Sequence, residues 1–109
     1  LADAGREGVM ARPARLNLTR PFLTAYPNPM RSGLVVEYNL TSPALVRLRV
    51  FDAAGRTVRH LVDAPRLNGL HRIRWDGCDS RGQVLAGGIY FVELKSGDIR
   101  LTEKLVIQR

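Results

Sequence analysis

The sequence is poor in the residues that build most catalytic and metal sites. It has one cysteine, Cys78, and two histidines among 109 residues. One cysteine excludes an intramolecular disulfide and a zinc site built from several thiolates. A nucleophilic Cys78 would need a histidine base beside it, and His71 instead shares one face of a predicted strand with Ile73 and Trp75. We therefore expect no enzyme activity, no bound metal and no other cofactor.

Long apolar runs and exposed aromatic residues are also scarce. No apolar stretch approaches the ~20 residues that span a bilayer as a helix, so we expect no transmembrane segment. The chain has one tryptophan, three tyrosines and three phenylalanines, of which Tyr38, Trp75 and Tyr90 are predicted to point inward. Too few remain for the rows of rings on which nucleic-acid-binding sheets stack bases. Nucleic acid is therefore not an expected partner, and glycan binding, which also depends on exposed rings, stays a lesser alternative.

From Leu34 onward, apolar and polar residues alternate in short segments separated by glycine, asparagine and aspartate turns. This period-2 pattern predicts strands, and no segment has the period of a helix. The predicted strands are residues 22–26, 34–40, 45–51, 57–62, 70–76, 88–97 and 99–108. About seven strands predict an all-β protein, an immunoglobulin-like antiparallel β-sandwich with an extended N-terminal tail. The residues expected to anchor its core are Tyr38, Val50, Trp75 and Tyr90.

The positive charge is expected to be divided between the two sheets. The chain has 15 arginines and 2 lysines against 10 acidic residues, which gives a net charge of +7. Sandwich folds place alternating strands in different sheets, so Arg47 and Arg49 would lie on one outer face and the pair formed by residues 72 and 74 on the other. Two glutamates are expected to point outward and to pair across strands with these arginines, namely Glu37 and Glu93.

The loop after Trp75 carries Asp76, Cys78 and Asp79, which raises the possibility of a metal site. A calcium loop of the EF-hand type needs an oxygen ligand at position three, a glycine at six and a glutamate at twelve. Counted from Asp76, these positions hold Cys78, Arg81 and Gly87. We therefore expect a turn built from aspartate hydrogen bonds, with Cys78 exposed in it.

Residues 1–21 precede the predicted sandwich, which we assign to residues 22–109. Leu16, Leu18 and Phe22 fall on one face of a possible strand, although Pro13 and Pro21 are typical of a linker. A linker to upstream cargo is one interpretation of this extension. The alternative is a donor strand that adds to the sheet edge of the next subunit and builds a head-to-tail filament.

Six motifs occur in an order that resembles a known family. They are Tyr-Pro-Asn-Pro-Met at residues 26–30, Val-Phe-Asp-Ala-Ala-Gly-Arg at 50–56, the 69–77 segment ending in Trp-Asp-Gly, the 79–82 turn, Gly-Ile-Tyr at 88–90 and Lys-Leu-Val-Ile at 104–107. This order resembles the C-terminal sorting domain of the bacterial type IX secretion system, which is itself similar to the Ig-like domain of flagellar hook-capping proteins. The resemblance covers residues 26–109.

The resemblance implies a non-catalytic domain of a secreted bacterial protein, found at the cell surface or outside the cell. An outer-membrane translocon would recognise it, and a sortase-like peptidase could remove it while attaching the cargo to surface lipopolysaccharide. The expected partners are thus the secretion machinery or upstream cargo, with self-association as the alternative. By the same resemblance, the recognition residues are Tyr26, Pro27, Asn28, Pro29, Gly88, Tyr90, Lys104, Val106 and Arg109.

Overall fold

The computed structural model describes residues 17–109, which form seven β-strands and no helix. The strands are β1 (Phe22–Tyr26), β2 (Leu34–Leu40), β3 (Ala44–Asp52), β4 (Thr57–Arg66), β5 (Gly69–Trp75), β6 (Gly88–Ser96) and β7 (Ile99–Ile107). One sheet has the order β1-β2-β5 and the other β4-β3-β6-β7, and neighbouring strands pair antiparallel. The predicted all-β, immunoglobulin-like sandwich is therefore confirmed. The described chain has no helix long and apolar enough to cross a membrane.

The core lies between the two sheets and follows the predicted alternation. Val46, Leu48 and Val50 of β3 are fully buried, while Arg47 between them is exposed. The four expected anchors, Tyr38, Val50, Trp75 and Tyr90, are all at most 8% exposed. The buried indole of Trp75 donates from Nε1 to the Cys78 carbonyl at 3.0 Å, so its polar group is satisfied inside the core.

Strand β4 runs four residues past the end predicted for it and includes Pro65. Proline lacks a backbone N–H and is excluded from central strands, but β4 is an edge strand of its sheet, where proline is tolerated. Residues 63–66 pair with β3 in regular register, and the two register shifts, between Leu48 and Arg49 and between Val50 and Phe51, lie opposite residues 57–62.

The expectation that Glu37 is solvent-exposed is wrong. Glu37 and Asn39 of β2 alternate with core residues, yet their exposures are 0% and 1%. The reason is that β2 is the central strand of its sheet, so side chains from both neighbours cover its outer face. The predicted cross-strand pairing does occur, because Arg72 Nε on β5 lies 2.6 Å from Glu37 Oε2.

The basic residues are divided between the sheets as expected. Arg47 and Arg49 lie on β3 in the four-stranded sheet, and Arg74 lies with Arg72 on β5 in the three-stranded sheet. The second predicted pair also forms, since Arg49 Nη2 lies 2.9 Å from Glu93 Oε1. Each sheet face therefore offsets part of its own positive charge.

Arg72→Ala should destabilise the fold because it removes a guanidinium from a carboxylate that is fully buried. Half of the Arg72 side chain is exposed, so we expect a loss on the order of 2 kcal/mol in the free energy of unfolding. Urea denaturation at neutral pH measures it. Arg74→Ala, an exposed position two residues along the same strand, should change stability by less than about 0.5 kcal/mol. Equal losses for the two variants would contradict a stabilising role for the pair.

Candidate functional site

Three segments that are distant in the sequence meet at one end of the sandwich. After β1, residues 27–30 cross from the three-stranded sheet to β7 of the four-stranded sheet. The Met30 N–H donates to the Val106 carbonyl at 2.8 Å, and the Gln108 N–H donates to the Met30 carbonyl at 2.8 Å. Met30 thus forms a parallel bridge with Ile107 and is itself fully buried. We call residues 26–30 with residues 104–109 the strand junction.

The side chain of Asn28 takes the place of a neighbouring strand at this junction. Its Oδ1 accepts a hydrogen bond from the Val106 N–H at 2.9 Å, and its Nδ2 donates to the Lys104 carbonyl at 2.8 Å. A primary amide offers the same acceptor and donor as a peptide group. Asn28 therefore satisfies backbone groups along the outer edge of β7, which would otherwise be open to pairing with another chain.

Arg109 fastens the end of the junction to two other segments. Its Nε donates to the Leu85 carbonyl at 3.0 Å and its Nη1 to the Arg31 carbonyl at 2.6 Å. Gly77 lies beneath these contacts with φ +80°, and a Cβ built on it would lie 2.8 Å from Cε of Met30. The loop approaches the junction closely at this point because residue 77 has no side chain.

The start of β6 completes this end of the sandwich. Gly88 pairs with Ile107, Ile89 with Val106, and Tyr90 with Leu105. The hydroxyl of Tyr90 donates to the Ala86 carbonyl at 2.8 Å. The structure therefore brings together the three segments that sequence resemblance singled out.

The predicted recognition residues differ in what they offer a partner. Tyr26 and Tyr90 are 8% exposed, so they shape the site from within. Pro27 and Val106 are half-buried, while the exposed members are Asn28, Pro29, Gly88, Lys104 and Arg109.

The residue-level prediction missed two contributors to this end of the sandwich. Ile89 is 47% exposed between the predicted Gly88 and Tyr90. Met30 carries the main-chain bridge to β7. Met30 could have been found as the last residue of the Tyr-Pro-Asn-Pro-Met motif.

Two clefts flank Tyr90 at this end. The larger, of about 570 Å³, lies between the β3–β4 turn and the loop after β5, with Val58, Leu85 and Tyr90 among the residues lining it. The second, of about 360 Å³, includes Ile89. Asp79, which lines the larger cleft, is already engaged, because its Oδ1 accepts hydrogen bonds from two backbone N–H groups of its own turn. The arrangement suits binding better than acid–base chemistry.

The predicted aspartate turn is present in the loop after β5. Asp76 Oδ1 accepts a hydrogen bond from the Cys78 N–H at 3.0 Å, and Arg59 Nη1 lies 3.2 Å from the same oxygen. The Cys78 N–H, followed by Arg59, holds the pKa of Asp76 below its usual value. Residues 17–109 contain no cluster of histidine, cysteine and acidic side chains suited to a metal ion.

Cys78 and His71 occupy positions that disfavour nucleophilic chemistry. Cys78 is partly buried rather than exposed as expected, because the loop folds back against the core. Burial, reinforced by the charge of Asp76, raises the pKa of the thiol, so little thiolate is present at neutral pH. The His71 Nε2 is 2.7 Å from the Leu67 carbonyl, and its ring stacks on Tyr38 with centroids 5.2 Å apart.

The proposed donor strand falls only partly within the described residues. Leu16 lies outside them. Leu18 is 54% exposed, and its carbonyl accepts a hydrogen bond from Asn39 Nδ2 at 3.1 Å. Phe22 belongs to β1 and pairs with Asn39 of β2. Phe22 is therefore part of its own sheet and is not available for donation to another subunit.

Residues 31–98, more than half of the chain, match the family model described as the FlgD Ig-like domain. The chain belongs to the FlgD Ig-like domain family. The match spans β2 to β6 and includes neither half of the strand junction. The FlgD-type Ig-like domain is a structural, non-catalytic module. No curated protein matches the chain.

The solved structures that resemble this FlgD-type domain include PorZ, PorU and a FlgD. PorZ, a bacterial surface component of the type IX secretion system of Porphyromonas gingivalis, matches 80% of this chain at 18% identity with a TM-score of 0.59. Latent PorU from Porphyromonas gingivalis matches 78% at 18% identity with a TM-score of 0.60. FlgD from Xanthomonas campestris, described for hook capping in flagellar assembly, matches 79% at 25% identity with a TM-score of 0.54.

The chain corresponds to a small part of the two larger neighbours. The matched region is 11% of PorZ, 9% of PorU and 62% of FlgD. At 18% identity, the likeness to PorZ and PorU shows a shared fold. The predicted resemblance to both the type IX secretion and the hook-capping groups is confirmed.

Asn28→Ala should weaken the strand junction because it removes both hydrogen bonds of the amide. We expect a loss of about 1–3 kcal/mol in the free energy of unfolding by urea denaturation. Hydrogen exchange at the Val106 amide should accelerate, since that N–H loses its acceptor. Asn68→Ala, at an exposed position before β5, is the matched control and should change neither quantity. Unchanged exchange at Val106 in Asn28→Ala would contradict the role assigned to Asn28.

Asp76→Asn should lower stability at neutral pH and have little effect in acid. The native pKa of Asp76 is depressed, so its contribution is present above the unfolded value of about 3.9 and is lost as the pH falls through the lower native value. Asparagine keeps an oxygen for the Cys78 N–H but removes the charge facing Arg59. Urea midpoints measured from pH 7 to pH 2 should converge for variant and parent. A constant difference would show that the charge is not the cause.

Proposed function

We propose that this chain is a non-catalytic sorting and anchoring module of a secreted bacterial protein. The observation that carries the proposal is the meeting of residues 26–30, 88–90 and 104–109 at one end of the sandwich. These segments lie far apart in the sequence, and their backbones are joined by direct hydrogen bonds. A translocon would therefore read a folded surface rather than an extended signal.

The exposed part of the junction has the character of a small docking surface. Asn28, Pro29 and Lys104 are exposed, and so is Ile89, an aliphatic side chain of β6 that pairs with Val106 of β7. Backbone hydrogen bonds on both sides hold these residues in place. A partner would therefore spend little free energy on ordering the surface, which favours affinity from a limited contact area.

The comparisons support a cell-surface or extracellular setting for the module. PorZ is a surface component of the type IX secretion system, and this chain, which shares its fold, is compatible with a role at the cell surface.

An assembly role is the second candidate. It is supported by FlgD of Xanthomonas campestris, which reaches 25% identity and is described for hook capping. Self-association into a filament would be a form of this second role, with a donor segment that excludes Phe22.

The sorting role is tested by placing the full chain behind an exported fluorescent reporter in a bacterium that has a type IX secretion system. The reporter should become accessible to external protease in that strain and stay periplasmic in an isogenic strain without the system. Lys104→Glu should lower the accessible fraction about tenfold, the loss expected for about 1.4 kcal/mol of docking free energy.

The matched control is Arg20→Glu, which changes by the same charge an exposed cation before β1, at the other end of that strand from the strand junction. It should leave surface delivery within about twofold of the parent, as expected for a residue outside the docking surface. A parent chain that leaves the reporter in the periplasm would overturn the sorting role. Surface delivery equally reduced by Lys104→Glu and Arg20→Glu would show that overall charge, and not the junction, is recognised.

A further inference from the structure

The opposite end of the four-stranded sheet carries a line of three cations. Arg47 on β3 pairs in register with Lys95 on β6, and Lys95 pairs with Arg100 on β7. All three side chains are exposed. We call these residues the cation row. The row crosses three adjacent strands at right angles to them, so the Cα atoms of neighbouring members lie about 5 Å apart.

The cation row is unfavourable for the isolated domain. Like charges placed directly opposite each other on neighbouring strands destabilise a sheet. Asp63 lies 3.8 Å from Arg47, and Glu93 lies 3.4 Å from Arg100, so the two outer members are partly offset. Within residues 17–109, Lys95 at the centre forms no ion pair. Part of the positive potential of the row is therefore left for an external anion.

An apolar pocket adjoins the cation row. It has a volume of about 370 Å³ and is lined by Ala44, Leu45, Gly97 and two members of the row, Arg47 and Lys95. Leu45 is 55% exposed and offers an apolar wall. Binding sites typically combine an apolar wall with a few convergent charged groups. The pocket thus suits an apolar side chain whose neighbours along the chain carry carboxylates.

We propose that the cation row and its pocket bind an acidic peptide segment of a partner protein. Carboxylates would pair with the two guanidinium groups, which favour planar oxyanions, and an apolar residue would contact Leu45. Nucleic acid fits the face less well. Phe51 and Phe91 are half-buried, and the Arg49 guanidinium lies 4.8 Å from the centroid of the Phe51 ring. That ring face is occupied and offers no free platform for a base.

This peptide site is separate from the strand junction. Arg47 lies near the start of β3, whereas Asp52 at the other end of β3 pairs with Tyr90. The site would therefore let the module hold a second partner, and it does not depend on the sorting role. Failure of reporter delivery would leave this proposal standing, and the binding experiment below does not involve secretion.

The test is an NMR titration of the isotope-labelled full chain with a short synthetic peptide of alternating glutamate and leucine. Backbone amide shifts should change at Arg47, Lys95 and Arg100 and around Leu45. The variant Arg47→Gln/Lys95→Gln/Arg100→Gln should lose at least about tenfold in affinity, and binding should weaken with added salt. Lys95→Gln alone removes the central charge and no ion pair of residues 17–109, so its melting temperature should be equal to or higher than that of the parent.

The matched control is Arg20→Gln/Arg31→Gln/Arg74→Gln, which removes the same charge from exposed positions away from the row. It should bind the peptide within about twofold of the parent, since screening limits distant charges. Equal losses for both triple variants would overturn the proposal. The proposal would also be overturned if a peptide with glutamine in place of glutamate bound equally well, or if no peptide bound at all. Binding of a polythymidine oligonucleotide or heparin, but not of the peptide, would overturn it as well.

Discussion

The crossing of residues 27–30 from one sheet to the other is the constraint on which this end of the sandwich depends. β1 belongs to the three-stranded sheet, yet Met30, a few residues later, is hydrogen-bonded on both sides to β7 of the four-stranded sheet. The two sheets are therefore tied by backbone hydrogen bonds as well as by apolar packing. Gly77, Arg109 and the start of β6 are arranged around this connection. A substitution at any of them would therefore alter the packing or hydrogen bonds of the junction.

The strands and the core were accessible from the sequence because most strands have one face in the core and one in solvent. Val46, Leu48 and Val50 are the clearest case. Glu37 escaped this reasoning because alternation reports which face a side chain is on and not what covers that face. A carboxylate on a central strand, here between Thr24 and Arg72, is buried without entering the core. Cys78 escaped it because loop residues have no periodicity from which burial could be inferred.

The candidate site could be located by resemblance but not understood from the sequence. The motif order pointed to the three segments. The decisive contacts, however, join Asn28 to Lys104 and Val106 of β7, which are 76 and 78 positions away in the sequence. No local pattern predicts that a side-chain amide will stand in for a strand. The same holds for the cation row, since the sequence shows Arg47, Lys95 and Arg100 as isolated charges. Their alignment depends on the register of β3, β6 and β7.

Pro29, the residue that follows Asn28, protects the junction from deamidation. Spontaneous conversion of asparagine to aspartate begins when the nitrogen of the next peptide bond loses its proton and attacks the side-chain carbonyl. Pro29 has no such proton to lose, so this route is closed at the one amide that satisfies the edge of β7. An aspartate there would turn the donor facing the Lys104 carbonyl into a charged acceptor. The amide of Asn28 should therefore last longer than that of an asparagine followed by a residue with a backbone N–H.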